Sequence, residues 1–235
     1  MYKFMLNETS YHGAGAIKAV PEEIKARGFK KAFVASDPDL VKFGVTKKVT
    51  DLLDEAGIEY VLYSNIKPNP TIENVQTGVA AFKEAGADCI VAIGGGSSMD
   101  AAKVMWLMYE HPEVNFDDIK QKFMDIRKRA FKFPELGKKA KLVCIPTTSG
   151  TGSEVTPFAV ITDTKENKKY PLTDYALTPT IAIVDPEFAM SMPPRIAADT
   201  GIDVLTHAIE AYVSILASDF TDGWAKQAVK LVFEN

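Results

Sequence analysis

No apolar run in this chain of 235 residues approaches the roughly 20 residues that a membrane-crossing helix needs. The first residues, Met1-Tyr2-Lys3-Phe4-Met5-Leu6-Asn7-Glu8, lack the apolar region of a secretory signal. Cysteine is scarce. Cys89 and Cys144 each sit in an apolar strand-like run, so no disulfide framework is implied and a cytoplasmic protein with reduced thiols is expected. An excess of basic charge is also missing: the net charge is −4, and Lys and Arg are scattered apart from one short run near residue 128. That distribution offers no electrostatic footprint for nucleic acid or an anionic membrane, and neither is expected as a partner. Histidine occurs three times, and His111 before Pro112 and His12 before Gly13 both suit surface roles. There is no internal repeat and no low-complexity segment. What is present, 46% hydrophobic and 25% charged residues, is enough to build a sizeable core in one or two domains.

The most informative stretch is Cys89-Ile90-Val91-Ala92-Ile93-Gly94-Gly95-Gly96-Ser97-Ser98-Met99-Asp100. A short β-branched run ends in three glycines and a serine pair, and Met99-Asp100-Ala101-Ala102-Lys103-Val104 reads as the start of a helix. Backbone without Cβ lets N–H groups approach an anion, and the helix N-terminus that follows favours negative charge. A phosphate or pyrophosphate is the natural guest, against a glycine-rich turn that holds nothing.

Earlier, Lys31 to Asp37 reads as a strand ending in a carboxylate, followed by a helix from Val41 to Ala56 closed by Gly57. A strand at Glu59 to Tyr63, the loop Lys67-Pro68-Asn69-Pro70-Thr71 and a helix from Ile72 to Ala85 come next. Strands alternating with helices argue for a parallel sheet covered on both faces, with ligands beyond the carboxyl ends of its strands. From Pro112 to Lys139 the pattern loosens into an excursion from the sheet: Phe116, Ile119, Phe123 and Ile126 keep helical spacing, and the basic and aromatic run from Arg127 to Phe133 reads as a solvated face. Leu142 to Ile145 resumes the sheet and leads into Pro146-Thr147-Thr148-Ser149-Gly150-Thr151-Gly152-Ser153-Glu154. Such hydroxyls and glycines can bond phosphate or ribose, or form a plain surface loop. Phe158 to Thr162 and Lys168 to Leu172 predict a hairpin, and Ile181 to Val184 the last strand.

Beyond Met192-Pro193-Pro194 the pattern becomes helical. Asp203 and His207 are four residues apart, so a helix sets them one turn apart on one face, with Thr206, Glu210 and Ala211 beside them. A carboxylate and an imidazole at that spacing are half of a divalent-metal site suited to Fe(II) or Zn(II), or an exposed pair on a wet face.

Together, Asp37, Pro68-Asn69-Pro70-Thr71, the glycine stretch, the Pro146 to Glu154 loop and Gly201-Ile202-Asp203-Val204-Leu205-Thr206-His207-Ala208-Ile209-Glu210 resemble the iron-dependent (group III) alcohol dehydrogenases over the whole length. Up to about Val104 the chain is most similar to the lactaldehyde reductase branch, and from Pro112 onward to the alcohol dehydrogenase domain of the bifunctional aldehyde-alcohol dehydrogenases. The resemblance implies an α/β fold: a dinucleotide-binding parallel-sheet domain over 1–190, then the beginning of an all-helical domain over 191–235, with a metal between them. It implies that Gly95, Gly96 and Ser97 hold a pyrophosphate and that Asn69 reaches toward the cofactor. Thr147, Thr148 and Thr151 would contact phosphate and the nicotinamide side, and Lys169 a ribose or phosphate. Asp37 would accept from the adenosine ribose hydroxyls, favouring NAD over NADP.

By the same resemblance Asp203 and His207 are the first two ligands of Fe(II), with Zn(II) as the other candidate. Two further histidines would lie farther along. Because the chain ends inside an apolar helical pattern at Leu231-Val232-Phe233, it reads as the first part of a longer protein. The implied activity is NAD-dependent and metal-dependent hydride transfer between short primary alcohols and aldehydes, in a protein that self-associates. No residue present stands out as a proton donor. Reduction of a glycerol or dihydroxyacetone-type substrate, a synthase reaction, and a non-catalytic nucleotide-binding module remain as alternatives.

Overall fold

A computed structural model describes residues 5–120 and 132–235. In chain order the elements are β1 (Thr9–His12), α1 (Ala19–Ala26), β2 (Lys31–Ala35), α2 (Pro38–Lys42), α3 (Lys47–Glu55), β3 (Glu59–Tyr63), α4 (Ile72–Ala85), β4 (Cys89–Gly94), α5 (Gly96–Glu110) and α6 (Phe116–Ile119). Then follow β5 (Lys141–Pro146), β6 (Phe158–Asp163), β7 (Lys168–Thr173), β8 (Ile181–Val184), α7 (Pro194–Val213) and α8 (Asp219–Glu234). Six strands form one sheet in the order β1-β8-β5-β4-β2-β3, and each neighbouring pair is parallel. An antiparallel hairpin, β6 with β7, stands apart from it.

Alternation along the strands decides which layer each side chain enters. Phe33, Ala35, Ile90, Ala92, Leu142 and Cys144 pack on one face with Val75, Val79 and Phe82 of α4 and Met99, Ala102 and Trp106 of α5. Ala32, Val34, Val91, Ile93, Val143 and Ile145 pack on the other with Val20 and Ile24 of α1 and Val49 and Leu53 of α3. Both faces are covered, which is why the central strands read as unbroken apolar runs.

The helix expected from Val41 to Ala56 is two helices. Gly44, at φ +74°, ends α2: its N–H donates to Val41 O at 3.0 Å and the Val45 N–H to Leu40 O at 2.9 Å. That pair of bonds closes a helix only around a residue in the left-handed region, which glycine adopts without steric cost. Val45 can then turn inward beside Val49. A first strand, β1, and α1 precede the first strand expected from the sequence. Residues 121–131, carrying Phe123, Ile126 and most of the basic and aromatic run, lie outside the described residues. Of that run's end, Lys132 is exposed and Phe133 buried.

From β2 the chain moves outward to the edge strand β3, whereas from β4 it moves the opposite way, to β5. The order therefore reverses between β2 and β4. At such a reversal the connections leave the sheet on opposite sides and open a crevice at the strands' carboxyl ends.

Candidate functional site

The turn after β4 leads directly into α5, which begins at Gly96, three residues earlier than Met99. The serine pair is thus the helix's first turn. No acidic residue lies in that turn, so no side chain of the turn itself neutralises the positive end of the helix dipole. The loop that follows β5 closes over this end. A Cβ on Gly96 would stand 2.8 Å from Thr151 Cγ2, and one on Gly95 3.3 Å from Thr148 Oγ1 and Cγ2. The Thr147 N–H donates to Gly94 O at 3.0 Å. The glycines are required here by the close approach of the threonine loop as well as by any guest.

Asp37 lies on the β2 side of the reversal. Its Oδ1 accepts from the Leu40 N–H at 2.9 Å as the N-cap of α2, and Oδ2 accepts from Ser98 Oγ at 3.5 Å. The rigid turn between Pro68 and Pro70 holds Asn69 at φ +52°. Asn69 N–H donates to Ser97 Oγ at 3.2 Å, and Asn69 Oδ1 accepts from Lys169 Nζ at 2.8 Å. Thr162 completes the seam, its N–H donating to Pro70 O at 2.8 Å.

Gly150 brings the same threonine loop against α7, where a Cβ would stand 2.8 Å from Thr200 Cβ. One turn farther along, Asp203 Oδ1 and His207 Nε2 are 3.7 Å apart, both side chains about half exposed. Two ligands of a tetrahedral divalent metal are separated by roughly 3.4 Å given bonds near 2.1 Å, so the pair fits a metal as two of its ligands. No group of three or more His, Cys, Asp or Glu suited to a metal occurs among the described residues.

A crevice of about 860 Å³ is lined by Asn69, Gly96, Ser97, Thr151, Lys169, Asp203 and His207, with Glu210 and Ala211 beside the pair. Residues from five separate stretches are brought together there. Asp37, Gly95, Thr147 and Thr148 do not line it; they surround the N-terminus of α5 from the β2 and β5 sides. Thr206, expected beside the metal pair, turns away and its hydroxyl donates to Ile202 O at 2.9 Å.

In the sequence Asp100 and Lys103 read only as part of a helix start. Lys103 is completely buried, and burial pulls its pKa down while the Asp100 carboxylate opposes the shift. Burial pushes Asp100 up, opposed by Lys103 and by hydrogen bonds from Ser153 and Val160. Glu154, at the end of the threonine loop, is likewise raised by burial. The available signal was two opposite charges three apart in an otherwise apolar helix.

Comparison with known proteins places these features in a family. The model for "Iron-containing alcohol dehydrogenase" matches residues 7–186, and that for "Fe-containing alcohol dehydrogenase family, C-terminal" matches residues 197–235. Aldehyde-alcohol dehydrogenase 2 of Entamoeba histolytica is 60% identical over 207 residues, covering 87% of this chain and 24% of that protein. The NADPH-dependent butanol dehydrogenase of Clostridium saccharobutylicum is 46% identical over 236 residues, covering 100% of this chain and 58% of the other. Sulfoacetaldehyde reductase from Bifidobacterium kashiwanohense, solved in complex with NAD+, superposes with a TM-score of 0.88 at 30% identity, over 100% of this chain and 59% of its own. The chain thus spans between a quarter and three fifths of the length of these proteins. With its first model matched over most of its length, the chain belongs to the iron-containing alcohol dehydrogenase family.

Proposed function

We propose that this chain is the dinucleotide-binding part and the start of the metal-binding part of an NAD-dependent alcohol dehydrogenase that interconverts short primary alcohols and aldehydes. The observation that carries the proposal is one crevice shared by the N-terminus of α5, at Gly96 and Ser97, and by the Asp203–His207 pair. An anion-binding helix end and a metal half-site opening on the same space is the arrangement hydride transfer at a polarised oxygen requires. The division of labour falls at about residue 190, with 1–190 for the dinucleotide and 191–235 for the metal.

In this reading Gly95, Gly96 and Ser97 hold the pyrophosphate through backbone N–H groups, and Thr147, Thr148 and Thr151 add hydroxyl contacts from the loop above. Asp37, at the end of β2, accepts from the adenosine ribose hydroxyls and repels a 2′-phosphate, which favours NAD. Asn69 and Lys169, already joined, present one amide and one ammonium to the ribose and phosphate side. Asp203 and His207 hold Fe(II), or Zn(II) in its place, which when bound supplies Lewis acidity toward the alcohol or aldehyde oxygen. Two buried cysteines, both free of a disulfide, support a reducing, cytoplasmic setting. Apolar side chains exposed along α7, α8 and the turn between them, among them Val213, Ile215 and Phe233, support self-association, which light scattering tests.

The test is titration of the chain with NADH, followed by its fluorescence, alongside Fe(II) and Zn(II) uptake by the chain and by Asp203→Asn and His207→Ala. Saturable NADH binding with metal uptake lost in both variants supports the reading. Absence of NADH binding overturns it, and NADH binding with metal uptake indifferent to both substitutions reduces the chain to a nucleotide-binding module.

A further inference from the structure

The loop between β3 and α4 is held by side chains that belong to helices. Pro68 and Pro70 carry no N–H, and the N–H groups beside them both donate to side chains: Lys67 to Asn74 Oδ1 and Asn69 to Ser97 Oγ, each at 3.2 Å. Asn74 grips the loop a second time, its Nδ2 donating to Asn65 O at 2.6 Å. It lies in the first turn of α4, where its own N–H donates to the Thr71 cap at 3.2 Å. In a capping box the side chain at this position returns to the N–H of the cap. The Asn74 amide reaches past it, to residues seven and nine earlier in the chain. Asn74 is only 6% exposed and does not line the crevice, whereas Asn69 and Pro70, at the far end of the loop it grips, do. Its neighbour Val75 is fully buried against the sheet, so α4 gives the amide a rigid base.

We infer that Asn74 is a positioning residue: by fixing the chain at Asn65 and Lys67 it sets where Asn69 stands over the first turn of α5, and through Asn69 it holds the Lys169 ammonium at the phosphate side of the crevice. The contacts are continuous. Asn74 grips the loop backbone, the loop carries Asn69, and Asn69 Oδ1 accepts from Lys169 Nζ at 2.8 Å. Without the amide, a donor at Lys67 and an acceptor at Asn65 lose their partner, and the loop shifts to reach water. A lysine has many rotamers to lose when it meets a phosphate, and holding it in advance lowers that cost. The inference rests on the nucleotide-binding reading of the crevice.

The experiment is a double-mutant cycle on the NADH affinity of the full chain, with Asn74→Ala, Lys169→Met and the two combined. Each single variant is expected to bind NADH about fivefold more weakly than the parent, and the combined variant within about twofold of Lys169→Met alone, because the amide has nothing to position once the ammonium is gone. A contribution to folding alone would leave the two losses independent, and they would multiply to about 25-fold. Asn74→Asp keeps the shape and still accepts from the Lys67 N–H, but at neutral pH it cannot donate to Asn65 O. It is expected to repeat the pattern and carries the test if Asn74→Ala does not fold. Losses that multiply, or Asn74 variants that bind NADH as tightly as the parent, overturn the positioning role alone. Parent-like affinity in Lys169→Met overturns the role given to Lys169, and a parent chain that binds no NADH overturns the crevice reading; the positioning role falls with either.

Discussion

Lys169 donates to the side-chain oxygen of Asn69 at 2.8 Å, across 100 residues of sequence. Asn69 does two jobs at once: its backbone occupies the left-handed region at φ +52°, and its amide holds the lysine. Asn69→Gly keeps the first and loses the second; Asn69→Ala loses both. Asn69→Ala is expected to unfold with about 1 kcal/mol less stability than Asn69→Gly, the cost of a left-handed alanine. Both should weaken NADH to the same extent. NADH affinity of Asn69→Gly equal to the parent's would show that the amide contributes nothing to binding.

Gly96 faces Thr151 at a distance that leaves no room for a methyl group. Gly96→Ala is expected to weaken NADH about tenfold and Gly96→Val to abolish detectable binding, with far-ultraviolet dichroism unchanged because α5 itself tolerates either residue. Adding Thr151→Ser to Gly96→Ala removes Cγ2, the atom in conflict, and should recover part of the loss. No recovery in the double variant would mean that the added carbon acts on the guest and not on the loop.

Glu110 is a buried carboxylate whose role lies in the fold. Its oxygens accept from the backbone N–H groups of Gly137, Lys138, Lys139 and Ala140 and from Trp106 Nε1 at 3.1 Å. It thereby shapes the entry into β5. Glu110→Gln puts an amide donor where every partner is a donor. The expected cost is about 2–3 kcal/mol, or a fall in Tm of roughly 5–10 °C. Calorimetry with a parent-like Tm would show that the nest of donors relaxes without cost.

Lys120 joins Asp117, Asp163 and Glu166 at 2.6, 2.9 and 2.9 Å, tying the end of α6 to the β6–β7 hairpin. Hydrogen bonding to Lys120 holds Asp163 below its ordinary 3.8, and Tyr170 and Lys120 together hold Glu166 below 4.5. For carboxyls whose folded pKa is depressed, the stabilisation is complete above the unfolded value and disappears as pH falls through the folded one. Lys120→Met should therefore be less stable than the parent near neutral pH, with the gap narrowing below about pH 4. Urea unfolding midpoints across that range check it, and a gap that stays constant would mean packing and not charge.

Much of the architecture was legible in the residues. Strand and helix alternation, the extent of α4 from Ile72 to Ala85, the hairpin at β6 and β7, and the one-turn spacing of Asp203 and His207 depend on local periodicity and backbone preference, which a short window of sequence carries. The break at Gly44 was missed because a lone glycine within helical spacing is tolerated often enough to be passed over. The early start of α5 was missed because glycines and serines are poor helix formers, and here the strand before and the threonine loop above hold the first turn in place.

By itself, then, the sequence determined most of the strands and helices from Lys31 onward, which faces are apolar, and which residues have the chemistry to hold a phosphate or a metal. Those properties belong to a residue and its near neighbours. Only the tertiary structure decided that Asn69, Gly96, Thr151, Lys169, Asp203 and His207 share one crevice, and that Lys103 lies beneath its wall. The reversal of strand order between β2 and β4, the approach of Gly150 to Thr200 and the burial of a charged side chain arise from packing between segments far apart in the chain. No local pattern records such contacts, because their energy exists only after both partners have been brought together.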